Sequence, residues 1–132
     1  MPFLEAIARW LLTRPAATLG AAGEREAARH LRRKGYRILA RNWRCEGGEV
    51  DLIARDGPWV VFVEVKTRRS GDRVMPEEQV HAHKQGRLRH AAQVFLSRFR
   101  GEPPQVRFDV MAVVWPESSQ APEVRHHPHA FE

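Results

Sequence analysis

The chain has 132 residues, a length that fits one domain and is too short for two ordinary ones. Its 22 lysines and arginines outnumber 16 acidic residues, and the formal net charge of +6 favours a polyanion as partner. The single cysteine, Cys45, excludes an internal disulfide and a zinc site built on a cysteine cluster. We therefore expect a cytoplasmic protein from a reducing compartment.

The N-terminal segment, residues 1–19, is apolar in patches that Glu5, Arg9 and Arg14 interrupt. No uninterrupted apolar run approaches the ~20 residues that a membrane-spanning helix needs. The helical spacing of its apolar residues instead predicts a short amphipathic helix, followed by the main domain at residues 20–115. We expect no membrane attachment.

The segment GEREAARHLRRKGY predicts an amphipathic helix that ends before Gly35. Ala27, Ala28 and Leu31 form its apolar side, and Glu24 lies on or beside that stripe. Four arginines cover the other side: Arg25, Arg29, Arg32 and Arg33. Glu24 fits either a functional acid or a first-turn acid that the helix dipole stabilises. The arginines fit either a solvated face or a surface for a phosphate backbone.

Three strand-like segments follow, YRILARNWR, EVDLIAR and WVVFVEVKT, separated by a Gly-Gly turn and an RDGP turn. They predict an antiparallel meander whose third strand is central, because that strand is apolar on both faces. A helix that follows Pro76 and runs to about residue 99, then a last strand VRFDVMAVVW, complete the pattern. The expected fold is α/β, a mixed sheet flanked by helices in the order α-β-β-β-α-β. The tail, residues 116–132, has no apolar periodicity and is predicted to be disordered.

Glu64 and Lys66 share one face of the third strand, because strand side chains alternate. In the preceding strand the same alternation predicts that Val50 and Leu52 share a face and that Asp51 lies on the other. If the RDGP turn makes a hairpin, Asp51 comes near Glu64. Two carboxylates in a partly buried site repel each other unless a cation neutralises them. That cation is either a hard divalent metal such as Mg²⁺ or, in a structural salt bridge, Lys66.

The residues GEREAARHLRRKGYRILARNWRCEGGEVDLIARDGPWVVFVEVKTR resemble the signature of the UPF0102 family, also called the YraN family. Lys84, the pair Ala91 and Ala92, and RFDV at residues 107–110 continue the resemblance, which covers roughly residues 20–115. That family is similar in turn to the PD-(D/E)XK nuclease superfamily and, within it, to the archaeal Holliday junction resolvases. The sequence has GEVD where the motif name has a Pro-Asp pair, which leaves the role of Glu49 open.

The resemblance implies a restriction-endonuclease-like core in which Asp51 and Glu64 bind Mg²⁺ or Mn²⁺. The backbone carbonyl of Val65 is implied as a further ligand. Glu24 matches the helix acid of the resolvase-like branch. Lys66 matches the motif lysine, which orients or activates the attacking water and stabilises charge that develops on the phosphate.

The implied activity is metal-dependent hydrolysis of DNA phosphodiester bonds, at branched DNA or recombination intermediates in the resolvase-like case. The residues expected to contact nucleic acid are Arg25, Arg29, Arg32, Arg33, Arg68, Arg69 and Lys84. Lys84 also fits a lysine whose stem lies along the apolar face of its helix. The alternative is a non-catalytic DNA-binding or scaffolding protein on the same fold. Resolvases act as dimers, and a homodimer stays open for this chain.

Overall fold

The computed structural model describes residues 18–71, 82–118 and 120–132. Nearly all of the predicted N-terminal helix and the predicted helix start at Pro76 lie outside these ranges. Within them the chain forms two helices and five strands: α1 (Leu19–Arg33), β1 (Arg37–Cys45), β2 (Gly48–Asp56), β3 (Trp59–Arg69), α2 (Ala82–Ser97), β4 (Gln105–Trp115) and β5 (Glu123–Phe131). Neither of these two helices is long and apolar enough to cross a membrane.

The five strands form one mixed sheet in the order β1-β2-β3-β4-β5. β1, β2 and β3 are antiparallel neighbours, β3 and β4 pair in parallel, and β5 returns antiparallel to β4. A parallel pair needs a crossover connection, and α2 lies in the one between β3 and β4. The predicted meander, the central third strand and the mixed sheet with flanking helices are confirmed.

Two apolar clusters, one on each face of the sheet, hold the helices in place. The cluster under α1 contains Leu31, Leu52, Val61, Val63 and Met111. The cluster under α2 contains Ile53, Val60, Phe62, Leu88 and Phe108. Gly23 lets α1 approach β3 closely, because a Cβ atom there would lie 1.9 Å from the Thr67 hydroxyl oxygen. This contact brings the first half of α1 to the C-terminal end of β3.

The predicted disorder of residues 116–132 is wrong, because Glu123–Phe131 forms β5. The physical reason is a buried carboxylate, Asp109 of β4, which has no exposed surface. It accepts hydrogen bonds from His126 Nε2 at 2.6 Å and from the backbone N–H of His129 at 3.2 Å. Arg107 Nε donates to the same carboxylate at 2.8 Å. Polar contacts therefore hold the tail on the sheet where an apolar pattern is lacking.

The hydrogen bonds to Asp109 outweigh its burial. Burial acts to raise the pKa of Asp109, but the hydrogen bonds from His126 and Arg107 and the Arg107 charge hold it below its ordinary value. A depressed pKa means that this carboxylate stabilises the folded state at neutral pH. That stabilisation is lost only as the pH falls below the usual range of an aspartic acid and through the depressed pKa.

We predict that Asp109→Asn lowers the free energy of unfolding at neutral pH by about 3 kcal/mol or more, because Arg107 loses its buried counter-charge. Urea denaturation followed by circular dichroism measures the loss. Glu123→Gln, which breaks the exposed pair of Glu123 with Arg125, is the control and should change stability little. Equal effects of the two substitutions would contradict a structural role for the Asp109 network.

Candidate active site

β2 and β3 separate at the end of the sheet where α1 approaches β3. Their ladder runs from the pair Asp56 and Trp59 to the pair Leu52 and Val63 and ends there. The next residue of β2, Asp51, uses its side chain to reach across the gap, and its Oδ2 accepts a hydrogen bond from the backbone N–H of the β3 residue Val65 at 2.7 Å. We define this opening as the β2–β3 gap.

The carbonyl group of Val65 faces the same gap. In a β-strand the N–H and C=O groups of one residue point toward the same neighbouring strand. The N–H of Val65 points to Asp51, so its carbonyl also points toward β2, beyond the last pair of the β2–β3 ladder. The β2–β3 gap therefore presents a carboxylate and a backbone carbonyl oxygen side by side.

A left-handed residue in β1 changes which face the neighbouring side chains occupy. Asn42 has a φ of 47° and stands at the register position across from Asp51. Asparagine tolerates this conformation better than most residues. The side chains before and after this position lie on opposite faces of the sheet: Leu52 packs under α1, whereas Val50 packs under α2. The prediction that Val50 and Leu52 share a face is wrong, because alternation is interrupted at Asp51.

Glu64 supplies the second carboxylate and is only 3% exposed. It lies on the α2 face of β3, close enough to Asp51 for the two groups to affect each other's pKa. Its Oε1 contacts Lys84 Nζ from α2 and lies 3.8 Å from Lys66 Nζ. The structure thus brings together the predicted acids, the predicted strand lysine and Lys84, which is bound to Glu64 and does not merely extend its stem to solvent.

Burial makes both carboxyl groups harder to ionise than usual. Burial is the main cause that raises the pKa of Asp51 to about 6, and the charge of Glu24 adds to it, while the Val65 N–H opposes it. Burial, followed by the charge of Asp51, raises the pKa of Glu64 to about 7. The nearby lysines reduce these shifts without cancelling them.

The two lysines of this cluster are shifted in opposite directions. Burial lowers the pKa of Lys66, and the charge of Lys84 lowers it further. Burial acts in the same direction on Lys84, but its hydrogen bond to Glu64 and the charge of that carboxylate outweigh it, so the pKa of Lys84 lies above its ordinary value. Lys84 is therefore the firm counterion of Glu64, and Lys66 is the lysine that gives up a proton more readily.

The oxygen atoms at the gap fit a magnesium-like cation better than zinc. In the described ranges no three His, Cys, Asp or Glu side chains are grouped as metal ligands, whereas structural zinc usually takes four nitrogen or sulfur ligands. Mg²⁺ binds through one or two carboxylates and completes its shell with other oxygens and water. Asp51, Glu64 and the carbonyl of Val65 could supply such a set.

Glu24 lies near the β2–β3 gap, where its charge helps to raise the pKa of Asp51. The interpretation of Glu24 as a first-turn acid is wrong, because α1 begins at Leu19 after the N-cap Thr18 and has no acid in its first turn. An acid in the second turn gains little from the helix dipole, whose effect is confined to the first turn. Proximity to Asp51 is the more informative property of Glu24.

The predicted basic face of α1 is divided in the structure. Arg25 lines a cavity beside Glu24, on the β1 side of the helix. Arg29 forms an ion pair with Glu26 at 3.2 Å and lines, with Arg33, a different cavity toward β5. Arg32 is exposed. The remaining predicted contacts, Arg68 and Arg69, follow Lys66 at the end of β3. Of the four helix arginines, the structure brings Arg25 to the site.

Sequence reasoning missed two residues that line the cavity beside Glu24, namely Arg41 and Asn42 of β1. The available signal was the asparagine itself, since asparagine is depleted in strands and enriched among left-handed residues. Its effect on the neighbouring arginine could not be derived without the backbone angle. Glu49, whose role the sequence left open, forms ion pairs. Its half-exposed carboxylate oxygens lie 3.7 Å from Arg87 Nη1 and 3.9 Å from Arg44 Nε.

A mixed sheet whose strands separate around two carboxylates, backed by two lysines, defines an α/β protein with an acid–lysine centre. The chain belongs to the UPF0102 family: the family model described as "Uncharacterised protein family UPF0102" matches residues 23–113. A UPF0102 protein of Geobacter metallireducens is 45% identical over 115 residues, which cover 87% of this chain and 93% of that protein. One from Symbiobacterium thermophilum is 54% identical over 95 residues, which cover 72% and 80%. The predicted family is confirmed.

We predict that Asp51→Asn raises the free energy of unfolding at about pH 8, by about 1–2 kcal/mol, because it removes one of two repelling charges. Both acids have a raised folded-state pKa, so the folded state holds more protons, and wild-type stability falls as the pH rises from about 4 to about 7. The difference should vanish near about pH 4, where both acids are protonated in the folded state. Urea denaturation at the two pH values measures it.

Glu49→Gln on the same strand is the control for this prediction, because its carboxylate is 43% exposed and outside the gap. It should not produce the same pH-dependent gain in stability. A less stable Asp51→Asn protein at about pH 8 would instead support a structural ion-pair cluster, in which the ionised aspartate stabilises the fold.

Proposed function

We propose that this protein is a metal-dependent endonuclease that hydrolyses phosphodiester bonds in DNA. The observation that carries the proposal is the β2–β3 gap itself, where Asp51 is bound to the N–H of Val65 and lies next to Glu64. Lys66 follows two residues later on the same face of β3. This order of acid, acid and lysine on two diverging strands supports the similarity to PD-(D/E)XK nucleases.

In this proposal Asp51, Glu64 and the carbonyl of Val65 hold Mg²⁺ or Mn²⁺. When bound, such an ion polarises a phosphoryl oxygen and lowers the pKa of a coordinated water. Lys66, whose side chain is 22% exposed, is proposed to hydrogen-bond the attacking water or a phosphate oxygen. Its lowered pKa suits a group that holds or moves a proton at Nζ.

The charge balance of the cluster favours a phosphate once a cation is present. When ionised, Asp51 and Glu64 balance the charges of Lys66 and Lys84. A divalent cation then leaves the gap with an excess of positive charge, and a DNA phosphate supplies the compensating negative charge. Glu24, close enough to act on Asp51, is proposed as a further acid that orients water or the metal shell.

The alternative is a non-catalytic DNA-binding or scaffolding protein, and the buried acids argue against it. A protein that only binds DNA gains nothing from carboxylates that repel phosphate. Two carboxyl groups with raised pKa values also reduce stability at neutral pH. Such a loss of stability is common where groups are arranged for chemistry.

We predict that the wild type cleaves DNA in the presence of Mg²⁺ or Mn²⁺ and that Lys66→Met lowers the rate by about 10²-fold or more. The assay compares linear, flap and four-way junction DNA, and the rates identify the preferred structure. Lys34→Met is the matched control, because Lys34 caps the C-terminal end of α1, away from the β2–β3 gap. Wild-type DNA binding without metal-dependent cleavage of any substrate would favour the scaffolding protein.

We also predict that Lys84→Met strengthens Mn²⁺ binding roughly tenfold, because the ammonium group no longer competes for Glu64. Electron paramagnetic resonance of free Mn²⁺ measures the affinity without DNA. Glu64→Gln should weaken Mn²⁺ binding in the same titration. Unchanged affinity in Lys84→Met together with weakened affinity in Glu64→Gln would mean that Lys84 and the metal occupy different sides of the carboxylate.

A further inference from the structure

We infer that Arg25 and Arg41 together bind a phosphodiester group of a nucleic-acid strand, next to the phosphate held at the β2–β3 gap. The inference deepens the proposed function and rests on it for the placement of that neighbouring phosphate. The site is a cavity of about 280 Å³ between α1 and β1, which we name the α1–β1 cavity. Its lining consists of Ala21, Glu24, Arg25, Arg41, Asn42 and Leu52.

The α1–β1 cavity adjoins the proposed metal ligands. Leu52 is the residue after Asp51 in β2, and Asn42 stands across from Asp51 in the register. Glu24, on the helix side of the cavity, is close enough for its charge to act on Asp51. A strand with one phosphate at the gap would therefore have its next phosphate within reach of this cavity.

The left-handed backbone of Asn42 gives Arg41 access to the cavity. In a regular strand Arg41 and Trp43 would point to the same face, because they are two residues apart. Here Arg41 pairs with Leu52 and lines the α1–β1 cavity, while Trp43 packs under α2 against Phe95. Because of this interruption, Arg41 faces the α1–β1 cavity while Trp43 packs in the core under α2.

The two guanidinium groups lack an acidic partner within the described part of the chain, where no carboxylate lies within ion-pair distance of Arg25 or Arg41. Arg29, on the same helix as Arg25, is instead paired with Glu26. Two guanidinium groups at one cavity, neither paired with an acid of the described residues, favour an external anion. Phosphate fits them, because guanidinium binds phosphate oxygens in a bidentate manner.

The test measures DNA affinity by fluorescence anisotropy over a range of KCl concentrations, with EDTA present so that no cleavage occurs. Each phosphate contact adds about 0.9 to the slope of log affinity against log salt for duplex DNA and about 0.7 for single strands. The double variant Arg25→Gln/Arg41→Gln should reduce the slope by about that amount, and each single variant should reduce it by a smaller amount. Arg37→Gln is the control: Arg37 is exposed and lies at the other end of β1, opposite Arg55.

An unchanged slope in Arg37→Gln, with reduced slopes in the two cavity variants, supports the phosphate site. Equal changes in all three variants would overturn it, because only the net charge of the protein would then matter. Absence of DNA binding by the wild type would overturn it as well. The binding assay contains no divalent metal, so its result does not depend on cleavage. Reduced slopes in the two cavity variants, in a protein that does not cleave DNA in the metal-dependent assay, would contradict the endonuclease proposal but support the phosphate site.

Discussion

Two carboxylates that repel each other in the β2–β3 gap are the constraint on which the rest of this site depends. Asp51 and Glu64 come from neighbouring strands, and burial raises the pKa of both. Lys84 of α2 and Lys66 of β3 supply positive charge beside Glu64. In the proposed function a divalent cation takes the place of the protons on Asp51 and Glu64, since either one removes negative charge from the gap.

Asp109 is a buried acid whose pKa is shifted in the opposite direction from those of Asp51 and Glu64. It has no exposed surface, yet its pKa is lowered, because Arg107 and His126 donate directly to its carboxylate. That cluster is saturated by its own partners and serves to hold β5 on the sheet. Two buried aspartates in one small domain therefore have pKa values shifted in opposite directions, and the hydrogen-bond donors around each carboxylate account for the difference.

The sequence predicts the elements that rest on apolar periodicity and misses those that rest on long-range polar contacts or on one backbone angle. The meander and the shared face of Glu64 and Lys66 follow from a period of two residues, and both are observed. β5 is missed because it is held by a polar contact between His126 and Asp109 of β4, and apolar periodicity does not reveal such a contact. The change of face on either side of Asn42 is missed because a pattern of apolar and polar residues does not give the backbone angle φ of a single residue. The ion pair of Lys84 with Glu64 depends on where α2 packs, which spacing within the helix cannot give.

The separation of β2 from β3 gives Asp51 two tasks at once. A central strand that loses its neighbour leaves an N–H and a C=O group without ladder partners, and a buried unpaired N–H is especially costly. The carboxylate of Asp51 accepts the hydrogen bond of the Val65 N–H and so stabilises the opening. The carbonyl of Val65 has no matching donor in the ladder, and it is the kind of oxygen that a hard cation binds. Asp51 thus satisfies the N–H of Val65 and lies beside the carbonyl oxygen that, in the proposed function, binds the metal.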